Sequence, residues 1–206
     1  MTEKIKVLNL YCCVGGNRSE LPSDEIEVTA VELDPVIADI YKERFPNDKV
    51  IIGDAHKYLL EHFEEFDFIW SSPPCPTHSR VRKMNPKQNK PIFPDLKLYE
   101  EILLLKGYFK GKWIVENVIS WYDPLIKPYI YKEHYYWSNF IITGKNNSNR
   151  CHNGTVEQLQ KIKGIDLSKY KGIDKIKTLR NMVEPAAGLE LFNMAFKEKQ
   201  QTLNLR

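Results

Sequence analysis

Apolar, β-favouring runs alternate with helix-like patterns along most of the chain, and short polar turns separate them. The runs predict strands over residues 5–11, 26–33, 50–52, 66–70 and 113–115, and a hairpin over 129–142. The periodic segments between them predict helices over residues 35–45, 55–63, 96–109 and 185–196. Because strands that alternate with helices form a parallel sheet covered on both faces, the pattern predicts the α/β class.

Several predicted strands end in residues that suit a ligand, and ligands bind at the carboxyl ends of parallel strands. Gly15 and Gly16 follow the first strand and would let the backbone approach a ligand closely. Glu32 ends the second strand, where a carboxylate can accept hydrogen bonds from ribose hydroxyls. Asp54 follows the third strand and could hold an adenine amino group. Each feature alone also fits an ordinary turn or a solvated strand end, but their order and spacing favour a nucleoside cofactor.

Composition sets only loose bounds on function. The 206 residues are 42% apolar and 28% charged, which is typical of one soluble globular domain. The formal charge of +3 permits a nucleic-acid partner without arguing for one. The N-terminus has no apolar run long enough for a signal peptide or membrane span, so we expect a cytoplasmic protein without a membrane partner. The sequence has no CxxC pair of the kind that binds structural zinc, so we expect free thiols and no metal.

Cys75 differs from the other cysteines in its setting. It follows the predicted fourth strand and is flanked by Pro73, Pro74 and Pro76. Prolines fix the backbone, which would hold the thiol at the sheet edge instead of in the core. A lone cysteine is more often a core residue, but this setting favours a reactive one. Glu116 lies at the tip of the next strand, and a protonated carboxyl there can donate a hydrogen bond or act as a general acid.

The order of motifs resembles the cytosine C5-methyltransferases that act on DNA. The motifs are VLNLYCCVGG, VELDP, GDA, SPPCPTHS, VENV and RNMVEP, and they span nearly the whole chain. The specific signal is PPC followed about 40 residues later by ENV. The resemblance implies a doubly wound, mostly parallel sheet of the S-adenosylmethionine-dependent methyltransferase type, which is Rossmann-like. It also implies a terminal antiparallel strand, which the 129–142 hairpin would supply.

The same resemblance implies roles for individual residues. Cys75 would attack C6 of the target cytosine, and Glu116 would bond to N3 and the exocyclic amine. The cofactor would be S-adenosylmethionine, with Asn181, Val183 and Pro185 resembling a late GNxVxP element that completes its pocket. The residues expected to bind the cofactor are Tyr11, Gly15, Gly16, Glu32, Leu33, Asp54, Pro74, Asn181 and Val183.

DNA is the partner that the resemblance implies, and the target base would have to leave the duplex stack to meet the thiolate. The proline- and lysine-rich residues 76–94 predict a loop that grips phosphates. Its expected contacts are Ser79, Arg80, Arg82 and Lys83, together with Lys87 and Lys90. A solvated lysine-rich loop is the alternative.

Some positions depart from the family pattern. Cys13 replaces a glycine, Asn9 replaces an aspartate, Pro76 replaces a glutamine and His78 replaces an aromatic residue. The family's QxRxR element is missing after the fifth strand, and no arginine near residues 136–140 would hold the cytosine O2. A substitute is therefore expected, and the candidates are Arg80, Arg82 and Arg180.

The predicted organisation is a catalytic and cofactor-binding domain over 1–143, a minimal target-recognition segment over 144–178 and a returning segment over 179–206. So short a recognition segment resembles compact phage enzymes. It suggests a relaxed sequence preference or a protein partner that supplies target recognition. Cys151 and His152 within it are expected to be structural instead of metal ligands.

Three other functions stay open from the sequence. Ser72-Pro73-Pro74 also begins the SPPY-type motif of amino methyltransferases, although those enzymes need an aromatic residue at position 75. A second alternative keeps the nucleophile but takes RNA or a free cytosine nucleotide as substrate. The third is a binding module without turnover, for which Cys75→Ala would change nothing.

Overall fold

The computed structural model of the chain describes residues 3–84, 90–144 and 154–197. Its strands are β1 (Ile5–Leu10), β2 (Ile26–Glu32), β3 (Lys49–Ile52), β4 (Phe68–Ser71), β5 (Lys112–Val118), β6 (Tyr129–Tyr131) and β7 (His134–Ser138). Within the described residues they form one sheet in the order β3-β2-β1-β4-β5-β7-β6. The first five strands pair in parallel, whereas β7 pairs antiparallel with β5 and β6. The predicted α/β sheet with a terminal antiparallel strand is confirmed.

Helices cover both faces of this sheet. They are α1 (Pro35–Arg44), α2 (Ala55–His62), α3 (Val81–Met84), α4 (Lys97–Tyr108), α5 (Val156–Lys163), α6 (Lys175–Asn181) and α7 (Pro185–Phe196). On one face, Phe192 of α7 packs in the same cluster as Phe68 of β4. On the other, Leu59 of α2 and Leu105 of α4 pack with Ile69. Neighbouring strand residues thus point to opposite, buried faces, as in sheets with helices on both sides.

Three of these helices were not predicted. The four-residue α3 lies inside the predicted 76–94 loop, and its residues are half-buried or exposed. Leu159 is the buried residue of α5, while α6 buries Thr178 and Leu179. These helices are short, with four to eight residues each, and they bury few side chains, so an apolar repeat has little length over which to show.

The described part of the 144–178 segment packs on the loop that follows β1. Leu159, Leu167 and Leu179 share a buried cluster with Val14 of that loop and Ile40 of α1. Residues 145–153 lie outside the described residues, and with them Cys151 and His152, whose structural role stays a prediction. None of the described helices has both the length and the apolar character that a membrane span requires.

Gly15 and Gly16 permit this packing. Gly15 has φ 76°, and a Cβ built there would lie 2.4 Å from Cε2 of Phe45. A Cβ on Gly16 would lie 2.0 Å from the carbonyl oxygen of Val183 and 2.6 Å from Cγ of Met182. Because such distances are far inside van der Waals contact, only glycine lets the 182–183 segment return onto the first loop.

We expect Gly16→Ala to lower the free energy of unfolding by roughly 1–3 kcal/mol, since the new methyl group must displace backbone. Urea unfolding followed by circular dichroism measures it. Gly107→Ala is the matched control, because nothing lies within 4 Å of a Cβ built at that position in α4. The control should leave stability unchanged or raise it by about 0.5–1 kcal/mol. Equal stability of Gly16→Ala and the wild type would contradict the packing role.

Candidate active site

A cavity of about 700 Å³ opens at the carboxyl ends of β1, β2, β4 and β5. Both predicted catalytic residues and most of the predicted cofactor residues line it. These are Tyr11, Glu32, Leu33, Asp54, Pro74, Cys75, Glu116, Asn181 and Val183. Gly15 and Gly16 do not line it, because they are buried against their own chain. Their lack of a side chain serves packing in this structure.

Two carboxylates mark the side of the cavity that suits a nucleoside. Glu32 is held by three backbone N–H groups: Cys13 N donates to Oε2 at 2.9 Å, and Leu33 N and Asp34 N donate to Oε1 at 2.9 and 3.1 Å. Asp54 caps α2, its Oδ1 accepting from His56 N at 3.0 Å. Each carboxylate is therefore fixed in place, and a carboxylate has lone pairs to spare for a ligand. Leu33 is 70% exposed beside them and offers an apolar surface for a base.

A buried carboxylate that the sequence did not reveal supports this side of the cavity. Glu101 of α4 is 1% exposed. Its Oε1 accepts from the hydroxyl of Tyr11 at 2.6 Å and lies 3.0 Å from Nδ1 of His56, while its Oε2 accepts from Ser71 Oγ at 2.5 Å. This contact raises the pKa of His56. Glu101 thus ties together the ends of β1 and β4 and the start of α2. The sequence holds one signal for this role, because Glu101 is an acidic residue on the apolar face of the helix predicted over 96–109.

The loop after β4 holds Cys75 in a defined position. The carbonyl of Cys75 accepts from His78 N at 2.9 Å and from Ser79 N at 3.1 Å, which closes a tight turn. Nδ2 of Asn117 donates to the carbonyl of Pro73 at 3.0 Å, so the ENV stretch is tied directly to the proline loop. Since Asn117 is 2% exposed, this bond is shielded from water.

The electrostatic surroundings of Cys75 favour its thiol form in the free protein. Burial raises the pKa of Cys75, and the negative charge of Glu116 raises it further. Attack on a carbon atom needs the thiolate. Burial and the Glu116 charge therefore both favour the protonated, less reactive form of this thiol.

The structure accounts for several departures from the family pattern. Asn9 exchanges two side-chain hydrogen bonds with Asn17, at 3.2 and 2.8 Å, and both side chains are buried. Cys13 has φ 49°, the left-handed conformation that explains a glycine in other family members. His78 fills the place of an aromatic residue, because it is 1% exposed and its Nδ1 lies 2.7 Å from the hydroxyl of Tyr122.

The predicted substitutes for the missing arginine fall into two groups. Arg180 lines the cavity, whereas Arg80 and Arg82 do not. Arg82 donates to the carbonyl of Lys90 at 2.7 Å, and the ammonium of Lys83 lies 4.7 Å from the ring centroid of Trp121. Ser79 bridges to Ser120 outside the cavity, and Lys87 lies outside the described residues.

Several basic side chains on the cavity wall escaped the sequence analysis, among them Lys132, His134 and Lys163. Lys163 of α5 donates to the carbonyl of Met182 at 2.7 Å, and its burial lowers its pKa. Lys132 and His134 come from the β6–β7 hairpin. No motif marked them, because their proximity to Glu116 depends on the fold of the hairpin and of α5.

The sheet, the paired carboxylates and the nearby thiol define a methyltransferase of the α/β class. A family model for C-5 cytosine-specific DNA methylases matches residues 5–119, more than half of the 206 residues. The chain therefore belongs to the C-5 cytosine-specific DNA methylase family. Membership decides against an amino methyltransferase. The family implies S-adenosylmethionine as the cofactor, and the fixed carboxylates at the strand ends fit it.

Among similar curated proteins are two named tRNA (cytosine(38)-C(5))-methyltransferase. The one from Homo sapiens is 33% identical over 84 residues, which cover 38% of this chain and 22% of the relative. The one from Rattus norvegicus is 30% identical over 84 residues, with the same coverage of 38% and 22%. The match thus spans about a fifth of the length of these relatives.

Solved structures resemble the chain at the level of the fold alone. A SAM-dependent methyltransferase from Agrobacterium tumefaciens is 17% identical, with 59% of this chain and 41% of that chain covered and a TM-score of 0.43. A DNMT2 variant from Spodoptera frugiperda is 22% identical, with 56% and 36% covered and a TM-score of 0.40.

We expect Glu101→Gln to lower the free energy of unfolding by roughly 1–3 kcal/mol, because the amide nitrogen cannot accept from Tyr11 or Ser71. Cofactor affinity should fall as well, since Tyr11 lines the cavity. Urea unfolding and calorimetric titration measure the two effects. Glu61→Gln is the control, as that side chain is exposed on α2. If both variants behave alike, Glu101 does not organise the site.

We also expect Glu116→Gln to speed alkylation of Cys75 in the free protein by roughly threefold or more at one pH, because loss of a nearby negative charge favours the thiolate. Iodoacetamide labelling followed by mass spectrometry of the Cys75 peptide measures this rate. Glu61→Gln, at an exposed position of α2, is the control. An unchanged rate in Glu116→Gln would show that the two side chains do not interact.

Proposed function

We propose that the protein transfers a methyl group from S-adenosylmethionine to C5 of cytosine in DNA through a covalent bond between Cys75 and C6. The observation that carries the proposal is the position of Cys75 and Glu116 on one cavity wall, beside the carboxylates Glu32 and Asp54. A thiol and a carboxylate beside a nucleoside site suit a reaction in which the thiolate bonds to a nucleobase and the carboxyl group stabilises the charge that then develops on the ring.

Each step assigns a task to a residue of the chain. The Cys75 thiolate bonds to C6, and the electrons of the C5–C6 double bond become available at C5. Glu116 stabilises the charge that develops on the ring by hydrogen bonds to N3 and the exocyclic amine. When bound, the cofactor supplies an electrophilic methyl group, which C5 takes up. Removal of the C5 proton by a base then restores the double bond, and the sulfur–C6 bond breaks.

The cofactor would occupy the side of the cavity formed by β1, β2 and β3. Glu32 would accept from ribose hydroxyls, Asp54 would accept from the adenine amine, and Leu33 would pack on the base. Asn181 and Val183, which the return of the chain onto Gly16 brings to the cavity, would close the pocket. The thiol of Cys75 would then face the methyl group from the neighbouring strands.

DNA is favoured as the substrate by the family and by the basic residues that follow Cys75. Arg80 and Lys83 are exposed just beyond the tight turn, where they can contact phosphates while the target base enters the cavity. The 144–178 segment is short, and its described part is partly used in packing on the first loop. We therefore expect relaxed target recognition or a partner protein that supplies it.

Transfer RNA is the second candidate substrate, because the similar curated proteins carry that activity in their names. The chemistry at Cys75 and Glu116 would be the same. The two candidates differ in what the basic loop and the 144–178 segment would contact.

The test uses labelled S-adenosylmethionine with duplex DNA, transfer RNA and deoxycytidine monophosphate, followed by identification of the labelled base. We expect label in 5-methylcytosine of DNA, and its complete loss in Cys75→Ser because serine is too weak a nucleophile. Cofactor binding should survive, and Cys151→Ser is the control for loss of a different thiol. Label only in RNA or nucleotide would show that this molecule, and not DNA, is the substrate. Label that persists in Cys75→Ser, or none despite cofactor binding, would overturn the proposal.

A further inference from the structure

His134 approaches the proposed catalytic carboxylate from the neighbouring strand. Its Nε2 lies 3.6 Å from Oε1 of Glu116, and the two side chains are 28% and 12% exposed. In the antiparallel pairing of β5 with β7, Val118 is opposite His134 and Glu116 is opposite Tyr136. Alternate residues share one face of a strand, so Glu116 and His134 are diagonal neighbours on the same face.

The turn that precedes His134 is built in an unusual way. Lys132 and Glu133 form the two-residue connection between β6 and β7, and both have positive φ, 43° and 64°. Such a turn favours asparagine and glycine. Residues held in this conformation cluster at functional sites. Lys132, Glu133 and His134 all line the cavity, and the imidazole of His134 lies beside the carboxylate of Glu116.

The contact of the second ring nitrogen, Nδ1, determines which nitrogen of His134 carries a hydrogen. Nδ1 of His134 lies 3.1 Å from the carbonyl oxygen of Lys132. A carbonyl only accepts, so Nδ1 carries a hydrogen in this contact. Nε2 can then donate to the carboxylate of Glu116 only in the imidazolium form. In the neutral form its lone pair faces the carboxylate, and the contact becomes unfavourable.

Charged and titratable groups surround this pair on every side. They are Cys75 of the proline loop, Lys132 and Glu133 of the turn, Tyr136 of β7, Lys163 of α5 and Glu184 at the start of α7. Burial and Glu116 raise the pKa of both Cys75 and Tyr136. Imidazole is the side chain that ordinarily changes charge between pH 5 and 8. Whether the His134 imidazole holds a second proton therefore decides the charge that faces Glu116 in this contact.

We propose that His134 is a positioning residue whose imidazolium form holds Glu116 toward the target base. It takes the place of a permanently charged arginine, which the sequence lacks on this hairpin. The inference rests on the proposed methyl transfer. Its consequence is that transfer loses efficiency as pH rises and the imidazole loses its proton, which opposes the gain from ionisation of Cys75.

The experiment measures single-turnover methyl transfer from about pH 5.5 to about 8.5 for the wild type, His134→Arg and His134→Gln. Dividing each rate by that of His134→Arg removes the pH dependence that is common to the three proteins. We expect the wild-type ratio to fall at least roughly fivefold across the range, and the His134→Gln ratio to stay low and flat. His62→Gln is the matched control, because it removes a histidine that pairs with Glu65 at 2.6 Å elsewhere. Its ratio should follow that of the wild type.

A flat ratio for an active wild type would overturn the inference and leave the proposed function intact. So would a His134→Gln variant with the rate and pH profile of the wild type. Absence of methyl transfer by the wild type would defeat the proposed function, and this inference with it. If thermal melting shows that His134→Arg does not fold, His134→Lys supplies the fixed charge instead.

Discussion

The parallel pairing of β4 with β5 is the constraint on which the site depends. Their register sets Ser71 beside Val115, where β4 ends while β5 continues to Val118. The side-chain bond from Asn117 to the carbonyl of Pro73 extends the contact beyond the end of β4. Adjacent strands are about 4.8 Å apart, and Cys75 follows the end of β4 while Glu116 lies in β5 just past its pairing with β4. The thiol and the carboxylate therefore share one cavity wall because of backbone pairing.

Glu101 connects three chain segments at the same edge of the sheet. A buried carboxylate is costly unless hydrogen bonds satisfy it. Here hydroxyls from β4 and from the loop after β1 do so, together with the imidazole at the start of α2. The cofactor side of the cavity and the nucleophile's strand are thus connected through one side chain. A change at Glu101 is therefore expected to alter both the stability of the core and the geometry of the site.

Much of the fold was predictable because it follows from the periodicity of apolar residues, whereas the polar contacts within the site were not. β1, β2, β4, β5 and the larger helices bury apolar faces, and these leave a clear pattern in the sequence. Cys75 and Glu116 were found because proline and strand ends restrict where they can lie. Glu101, Asn117 and His134 act through contacts between residues more than 15 positions apart, as in the bond from Asn117 to Pro73 with a separation of 44. Gly16 was assigned to cofactor approach, yet its partner is Val183, which only the folded chain brings near it.

The central claim is that the sulfur of Cys75 bonds to C6 of a cytosine. Oligonucleotides that carry 5-fluorocytosine test it most directly, because fluorine at C5 prevents the final proton removal and leaves the adduct in place. After incubation with S-adenosylmethionine and digestion, mass spectrometry should find the methylated fluorocytosine attached to the Cys75 peptide. The adduct should be absent in Cys75→Ser and without cofactor. A wild-type protein that binds cofactor and oligonucleotide but forms no adduct, or an adduct on another residue, would contradict the account.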